Sequence, residues 1–337
     1  MRDQVEKMCF ELGKDPLLVQ GAGGNVSWKD KEDLWIKASG TWLSDAMNKD
    51  IFIPTDIKNI QEEVTLGNFE VSPKVVNNSK LKPSIETILH ALMPHKVVVH
   101  LHAVEILTFL VQGTCEQTFS QKIQKKFPYI FVEYCKPGSN LAKGVYEALQ
   151  AKPDANLIFL KNHGVVLGGE TAEEIMQLLR GLLDLLEVEI KKSLPEDSQI
   201  DDDYSGLVPD SNYLPAEIFK LHNLSKNISL FEFVQNKWAL FPDHVVFLGA
   251  ESLSGDYKYI KKELGSLNKF PPFIFCKGVG TFQHITATKA QIDQLCCFYD
   301  VVIRLDDTSQ VVELSSNQIQ ELLDWEAEKY RLSVSKD

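Results

Sequence analysis

The chain has 337 residues, of which 44% are hydrophobic and 24% charged, and its formal net charge is -12 at pH 7. This composition is typical of a globular protein that is long enough for more than one domain. The acidic balance argues against a nucleic-acid partner, because binding to a phosphate backbone needs clustered Lys and Arg. The sequence has no run of eighteen apolar residues and no apolar leader at Met1–Lys7. We therefore expect no membrane partner and a cytoplasmic protein.

Two polar turns near the N-terminus are candidate anion sites. The first, Gly21–Ser27, follows a helical segment and precedes a strand. Its glycines let backbone N–H groups approach an anion, and Asn25 and Ser27 add side-chain hydrogen bonds. The second, Ala38–Thr41, follows the strand Leu34–Lys37. Either segment is also compatible with an ordinary loop.

A third polar segment, Pro83–Thr87, is predicted to open a helix. Ser84 is placed to cap that helix, and the free N–H groups of its first turn favour an anion. Glu86 falls in the same turn, where a carboxylate also compensates the helix dipole. The segment is therefore either part of a binding site or a simple helix start.

Three histidines form the strongest chemical signal in the sequence. His100 and His102 lie in the β-branched run Val97–His102, and alternate side chains of a strand point to the same face. His163 follows a second apolar run and precedes Gly164, at a turn where the backbone can approach a neighbour. Three such ligands leave one position of a tetrahedral metal open, as in catalytic zinc sites. The alternative is a set of packed, hydrogen-bonded histidines without a metal.

The middle of the chain contains a predicted domain boundary. Thr171–Ile190 has the apolar spacing of a long amphipathic helix with Thr171 as N-cap, whereas Lys191–Pro215 is polar, acidic and interrupted by proline and glycine. We predict a first domain over residues 1–195, an acidic linker over 196–215 and a second domain over 216–337. Near the end, Trp325–Arg331 is expected to be a solvated helix with paired charges.

The second domain contains a degenerate copy of parts of the first. Leu157–Gly164 is matched by Phe273–Gly280, and both are followed by a Thr-initiated helix; Pro94–His100 is echoed by Pro242–Leu248. In the copy the histidine positions are occupied by residues that cannot bind a metal, namely Leu248, Ala250 and Val279. A repeat predicts a metal-free second unit, while chance similarity of two common strand-turn-helix units is the alternative.

Five motifs, taken in order, resemble the class II aldolase and adducin head-domain family, including its fuculose-phosphate and rhamnulose-phosphate aldolases. The motifs are Gly24–Ser27, Ala38–Gly40, Pro83–Glu86, His100–His102 and Asn162–Gly164. The resemblance covers about residues 1–195. It implies an α/β fold, a three-layer α/β/α sandwich around a mostly antiparallel central sheet, here followed by the smaller degenerate α/β copy. It also implies a homo-oligomer, usually a tetramer with sites between subunits.

The same resemblance assigns roles to individual residues. It implies that the three histidines bind Zn²⁺, with Mn²⁺ or Co²⁺ as alternatives, and that Glu86 is the acid/base carboxylate. A tyrosine usually handles the aldehyde oxygen in the family, and Tyr134 is our candidate, acting within one subunit or across an interface. The candidate phosphate contacts are Asn25, Ser39, Gly40 and Ser84.

The predicted function is a zinc-dependent class II aldolase that cleaves a ketose 1-phosphate into dihydroxyacetone phosphate and an aldehyde. One alternative uses the same metal site for epimerisation, dehydration or decarboxylation of a sugar phosphate or sugar acid. The other is a non-catalytic, adducin-like module, which has no reason to keep three ligands and a carboxylate.

Two departures from the family pattern limit the prediction. Ile85 stands where fuculose-phosphate aldolases carry a second phosphate-binding serine, so the identity of the anion stays open. The C-terminal extension resembles the aldolase part of rhamnulose-phosphate aldolase and short-chain dehydrogenase fusions. We expect no dinucleotide-binding half in these 337 residues, and Gly21–Gly24 lacks both the Gly-x-Gly-x-x-Gly spacing and the preceding strand of a Rossmann motif.

Overall fold

The computed structural model describes residues 1–123, 126–191, 210–267 and 270–334. Two sheets organise these residues, a seven-stranded sheet in the first part of the chain and a four-stranded sheet in the second. Of the predicted linker, residues 196–209 lie outside the described ranges. Tyr213–Pro215 is a strand of the smaller sheet, so these three residues belong to the second unit. The exact domain boundaries stay a prediction.

The larger sheet is mostly antiparallel. Its strands are β1 (Asn25–Asp30), β2 (Asp33–Lys37), β3 (Phe52–Asp56), β4 (Val97–Leu101), β5 (Tyr129–Val132), β6 (Leu157–Leu160) and β7 (Gly164–Gly169). Their order is β3-β2-β1-β4-β7-β6-β5, and every neighbouring pair is antiparallel except β5 and β6. The β-branched run that forms β4 favours extended chain and lies at the centre of the sheet.

Helices cover both faces of this sheet. They are α1 (Arg2–Lys14), α2 (Ile57–Thr65), α3 (Thr87–Leu92), α4 (Val104–Leu110), α5 (Cys115–Ile123), α6 (Ser139–Ala151) and α7 (Ala172–Leu186). Val97, Val99 and Leu101 pack with α1, α4, α5 and α7, whereas Val98 packs with α3 and α6 on the opposite face. This alternation follows from the two-residue repeat of a strand. The predicted three-layer α/β/α sandwich is confirmed.

The second unit is smaller and richer in helices. Its strands are β8 (Tyr213–Pro215), β9 (Leu253–Gly255), β10 (Phe273–Cys276) and β11 (Gly280–His284). Its helices are α8 (Asn223–Lys226), α9 (Ile228–Asn236), α10 (Pro242–Leu248), α11 (Tyr257–Leu264), α12 (Lys289–Val302), α13 (Ser316–Leu323) and α14 (Glu326–Val334). The strand order is β8-β11-β10-β9, in which β9 and β10 are parallel. None of the helices in the described ranges combines the length and apolar character that a membrane crossing requires.

One half of the predicted internal repeat has structural counterparts. Leu157–Gly164 and Phe273–Gly280 each form a strand, a turn and the start of the returning strand. The helix that follows is capped by Thr171 in the first copy and by Thr288 in the second. The predicted cap at Thr171 is therefore confirmed, although the helix ends at Leu186 rather than at Ile190.

The other half of the predicted repeat is wrong. Pro94–His100 leads into β4, but Pro242–Leu248 forms the helix α10. Pro242 occupies the first helical turn, where its fixed φ favours a helix and its missing N–H is not needed. Leu248 and Ala250 are therefore not counterparts of the strand histidines, because the segment that should match β4 is a helix.

The two units pack directly against each other. Val104, Leu107 and Val111, in and just after α4, belong to the same apolar cluster as the core of the second unit. Asn162, in the turn between β6 and β7, donates hydrogen bonds of 2.8 Å from Nδ2 to the carbonyl oxygens of Leu240 and Val312. The turn that carries His163 is thus fixed to the second unit by its neighbouring side chain.

We predict that Asn162→Gly lowers the free energy of unfolding by about 2 kcal/mol, because two carbonyl groups at the interface lose their donor. Glycine is the appropriate replacement, since Asn162 has a φ of 51° that alanine would adopt only with strain. Urea titration followed by circular dichroism measures the change. The matched control is Asn68→Gly at an exposed position, where we expect a change within about 0.5 kcal/mol. Equal losses in the two variants would contradict the role of Asn162.

Candidate metal centre

The three predicted histidines meet at the end of the central strands. His100 is in β4, His102 follows directly after it, and His163 lies in the turn before β7. Because β4 pairs with β7, with His100 opposite Val166, this turn lies beside the end of β4. All three side chains are buried, and one ligand nitrogen from each lies within 4.8 Å of the others. The predicted histidine cluster is therefore present in the described part of the chain.

Gly164 makes this arrangement possible. A Cβ at this position would lie 2.4 Å from the carbonyl oxygen of Leu101 and 3.1 Å from the rings of both His100 and His102. A side chain would therefore push β7 away from β4 and displace the histidines. The close backbone approach predicted from the His-Gly pair is confirmed.

The hydrogen bonds of the first two histidines determine which ring nitrogen carries the proton. His100 donates from Nδ1 to the carbonyl oxygen of Val165 at 3.2 Å, and the Nδ1 of His102 lies 3.3 Å from the Oδ2 atom of Asp243. Both partners are acceptors, so in the neutral rings the proton lies on Nδ1 and both Nε2 atoms carry lone pairs. These Nε2 atoms are 3.0 Å apart. Two buried lone pairs at this distance repel each other unless a cation or a proton lies between them.

The donor set therefore fits a divalent metal. Burial lowers the pKa of His100 to about 4 and that of His163 to about 3, so both imidazoles are neutral at pH 7 and able to bind a metal. The Nδ1 atom of His163 has no hydrogen-bond partner among the described residues. Zinc and related metals prefer imidazole nitrogens that converge at a buried site.

Glu86 lies beside the histidines. Its Oε2 atom is 3.6 Å from Nε2 of His100, and its Oε1 atom is 3.6 Å from Nε2 of His163. Asn25 donates a 2.7 Å hydrogen bond to Oε2. Burial alone would raise the pKa of Glu86, but the positive charge that His100 and His163 carry at low pH, together with the Asn25 amide, lowers it to about 2. The carboxylate is therefore ionised at neutral pH and oriented by Asn25.

The candidate phosphate contacts line a single small cavity next to this cluster. Asn25, Ser39, Gly40 and Ser84 all contribute to its wall. The predicted helix cap at Ser84 is wrong, because α3 begins at Thr87 and Glu86 occupies the N-cap position. The Ser84 hydroxyl instead accepts a 3.3 Å hydrogen bond from the backbone N–H of Glu86. Ser84 thus shapes the turn that presents the carboxylate.

Tyr134 does not lie among the residues that line this cavity. Its ring packs against the core of the second unit, and its hydroxyl has no hydrogen-bond partner within the described ranges. Burial raises the pKa of its hydroxyl. A role for Tyr134 at this site, including one across a subunit interface, stays a prediction.

The second unit contributes charged residues that the sequence did not indicate. Asp243, Glu328 and Arg331 line the same cavity and are buried. Both carboxylate oxygens of Asp243 accept hydrogen bonds from Arg331, at 2.6 and 2.7 Å. Burial would raise the pKa of Asp243, but Arg331 and His102 hold it well below its usual range. The helix predicted near Trp325–Arg331 and its paired charges are present, since Arg331 lies 3.4 Å from Glu328 and Lys329 lies 2.5 Å from Glu326. The prediction that this helix is solvated is wrong, because Glu328 and Arg331 are buried.

Helix α14 covers the cavity. Gly40 has a φ of 80°, and a Cβ there would lie 2.6 Å from Cβ of Val334 in α14. The enclosed space is about 30 Å³, which holds only a few water molecules. A groove of about 500 Å³ lies outside it, shares Ser39, Ser84 and Ile85 with it, and is bordered by Tyr330.

The sheet and the buried cluster define a mixed α/β protein with a candidate metal centre formed by histidines and a carboxylate. Residues 4–190 match the family described as Class II Aldolase and Adducin N-terminal domain. The chain belongs to this family. The match ends before the second unit, so it does not address α10 or α14.

Three relatives and solved structures illustrate the similarity. The chain is 29% identical over 191 residues to "Uncharacterized oxidoreductase YuxG" of Bacillus subtilis, in an alignment that covers 51% of this chain and 27% of that protein. It is 29% identical over 185 residues to "L-fuculose phosphate aldolase" of Methanocaldococcus jannaschii, covering 50% and 84% of the two chains. A class II aldolase domain from Thermoplasma acidophilum has 27% identity and a TM-score of 0.47, covering 55% of this chain and 91% of that one. The chain thus spans about a quarter of the Bacillus subtilis relative.

We predict that Gly164→Ala destabilises the protein by about 1–3 kcal/mol, because the added Cβ overlaps with the Leu101 carbonyl group. Thermal unfolding measures this loss, and a chelator competition assay should show weaker Zn²⁺ binding. Gly265→Ala is the control, since its φ of -66° and its nearest contact of 3.4 Å accept a methyl group. A Gly164→Ala protein as stable as this control would show that the close approach does not matter.

Proposed function

We propose that this chain is a zinc-dependent class II sugar-phosphate aldolase that cleaves a ketose 1-phosphate into dihydroxyacetone phosphate and an aldehyde. The observation that supports this most directly is the buried group of three histidines with the Glu86 carboxylate 3.6 Å from two of them. Family membership supports the same reaction class. The similarity to a protein named L-fuculose phosphate aldolase adds a sugar phosphate as the substrate type.

His100, His102 and His163 would hold the metal in this proposal. Zn²⁺, or Mn²⁺ or Co²⁺ in its place, supplies a Lewis acid that offsets the negative charge developed when the carbon–carbon bond breaks. The chain provides neutral imidazoles for this purpose at pH 7, and the turn at Gly164 keeps them together.

Glu86 would carry the proton. Cleavage of the carbon–carbon bond leaves an electron pair on the three-carbon fragment, and a proton must be added to that carbon to give dihydroxyacetone phosphate. In the cleavage direction the ionised carboxylate would take up the proton that the reacting hydroxyl group loses and give it to that carbon, and in the reverse direction it would remove it. The Asn25 hydrogen bond at 2.7 Å keeps one carboxylate oxygen fixed while the other faces His163.

Tyr134 is the proposed partner for the oxygen that becomes the aldehyde oxygen. Within one subunit Tyr134 packs away from the cavity. This part of the proposal therefore requires a second subunit, which agrees with a homo-oligomeric, tetrameric protein.

The anionic end of the substrate would bind at the four predicted contacts, Asn25, Ser39, Gly40 and Ser84. Two cationic side chains, Lys37 and Arg331, line the same cavity. Burial, followed by repulsion from Arg331, lowers the pKa of Lys37 to about 7. These two side chains can attract an anion, although Glu86, Asp243 and Glu328 line the same cavity and Ile85 removes one serine hydroxyl that related aldolases carry.

Substrate entry requires a movement in this proposal. A cavity of about 30 Å³ is too small for a ketose phosphate. The larger groove of about 500 Å³ lies next to the cavity, and Ser39, Ser84 and Ile85 form part of the wall of both. Withdrawal of α14 from Gly40 would join the groove to the cavity.

We predict that the purified protein, incubated with Zn²⁺ and a panel of ketose 1-phosphates, releases dihydroxyacetone phosphate from at least one of them. A coupled assay with glycerol-3-phosphate dehydrogenase detects this product. Conversion of a sugar phosphate or sugar acid without dihydroxyacetone phosphate would instead identify epimerisation, dehydration or decarboxylation. Absence of both turnover and bound metal would support the adducin-like alternative.

We predict that Glu86→Gln lowers kcat by about 10²–10⁴-fold, because the proton carrier is lost while the amide keeps the shape of the side chain. Bound zinc, measured by elemental analysis, should stay within about twofold of the unmodified protein. Glu62→Gln, at an exposed position, is the control and should leave kcat unchanged. Full zinc-dependent turnover in Glu86→Gln would rule out this role of the carboxylate.

A further inference from the structure

A carboxylate of the second unit contacts a predicted metal ligand of the first. Asp243 lies in the first turn of α10, and its Oδ2 atom is 3.3 Å from Nδ1 of His102. Both side chains are buried. A buried carboxylate is costly unless it is paired, so its presence next to an imidazole needs a physical reason.

Three helices fix the position of this carboxylate. It is part of α10, it accepts two hydrogen bonds from Arg331 of α14, and Gln294 of α12 lies 3.4 Å from Oδ2. The fork of the guanidinium group matches both carboxylate oxygens and prevents rotation of the group. The glycine-rich turn closes the remaining side, since a Cβ at Gly23 would lie 3.1 Å from Oδ2.

The contact has a chemical consequence for His102. A carboxylate accepts hydrogen bonds and cannot donate one, so it binds the Nδ1–H form of the ring. Nε2 then keeps its lone pair and points at Nε2 of His100, 3.0 Å away. His100 makes the equivalent contact within its own sheet, because its Nδ1–H donates to the carbonyl oxygen of Val165. Of these two rings, His102 is the one whose Nδ1 partner belongs to the second unit.

We propose that Asp243 is a positioning residue of the metal centre, and that Arg331 holds it in place. Asp243 selects the tautomer and the ring orientation in which His102 binds the metal. The second unit is then a working part of the centre, and docking of that unit and metal binding strengthen each other. This role rests on the proposed function in one respect, namely that the histidines bind a metal.

The test is the Zn²⁺ dissociation constant of the full chain, measured by competition with a chromophoric chelator. We expect Asp243→Asn to weaken Zn²⁺ binding by about 10–100-fold. The donors of Arg331 would attract the amide oxygen and leave the amide NH₂ group facing His102. The ring would then be protonated on Nε2, the atom that has to bind the metal.

Asp300→Asn is the matched control. Asp300 is a buried carboxylate of the same unit and accepts a 2.6 Å hydrogen bond from Lys220, but it contacts none of the three histidines. We expect this variant to lose stability and to keep its Zn²⁺ affinity within about twofold. Equal Zn²⁺ affinity in Asp243→Asn and the unmodified protein would overturn the proposal, as would an equal loss in both variants.

Arg331→Met is a second variant that keeps the proposal testable if Asp243→Asn does not fold. This variant keeps the Asp243 carboxylate but allows it to rotate, so we expect a smaller loss of Zn²⁺ affinity, by about 3–30-fold. Unchanged affinity in this variant would show that Arg331 has no positioning role. If the unmodified protein binds no Zn²⁺, the proposed function itself fails, and this outcome is distinct from a failure of Asp243 alone.

Discussion

The constraint on which the rest of the structure depends is the close approach of two imidazole nitrogens in the buried interior. His100 and His102 face each other through Nε2 atoms 3.0 Å apart, and neither ring is exposed to solvent. Such a pair is unfavourable unless a cation or a proton lies between the two nitrogens. The partners of the two Nδ1 atoms, Val165 and Asp243, and the missing side chain at Gly164 hold both rings in this arrangement.

Much of the fold and of the candidate site could be predicted from the sequence, because local patterns determined it. The β-branched run before His100 predicts a strand, and its two-residue repeat brings His100 and His102 to one face. The His-Gly pair at residues 163 and 164 predicts a turn with a close backbone approach. The order of the short motifs predicts the family and the three-layer arrangement, and both are confirmed.

The rest depends on contacts between distant parts of the chain, which local patterns do not report. Pro242–Leu248 is β-branched enough to be read as a strand, but Pro242 at the first turn and the packing against α12 and α13 make it a helix. Glu328 and Arg331 have the spacing of a solvated ion pair, and only the buried Asp243 in another helix shows why they are inside. The prediction for Tyr134 rests on residue type alone, and the type of a residue does not determine its position in the fold.

The distance along the chain between the histidines and Arg331 has a consequence for protein synthesis. Residues 1–190 include every proposed metal ligand, and they emerge from the ribosome well before α14. N-terminal domains generally fold first. A nascent chain at that stage has a complete set of imidazoles, but Asp243 and its guanidinium partner are still missing. If Asp243 has the role proposed for it, the newly made sheet binds metal weakly and exchangeably. The metal would then be retained only late, when the last helix docks.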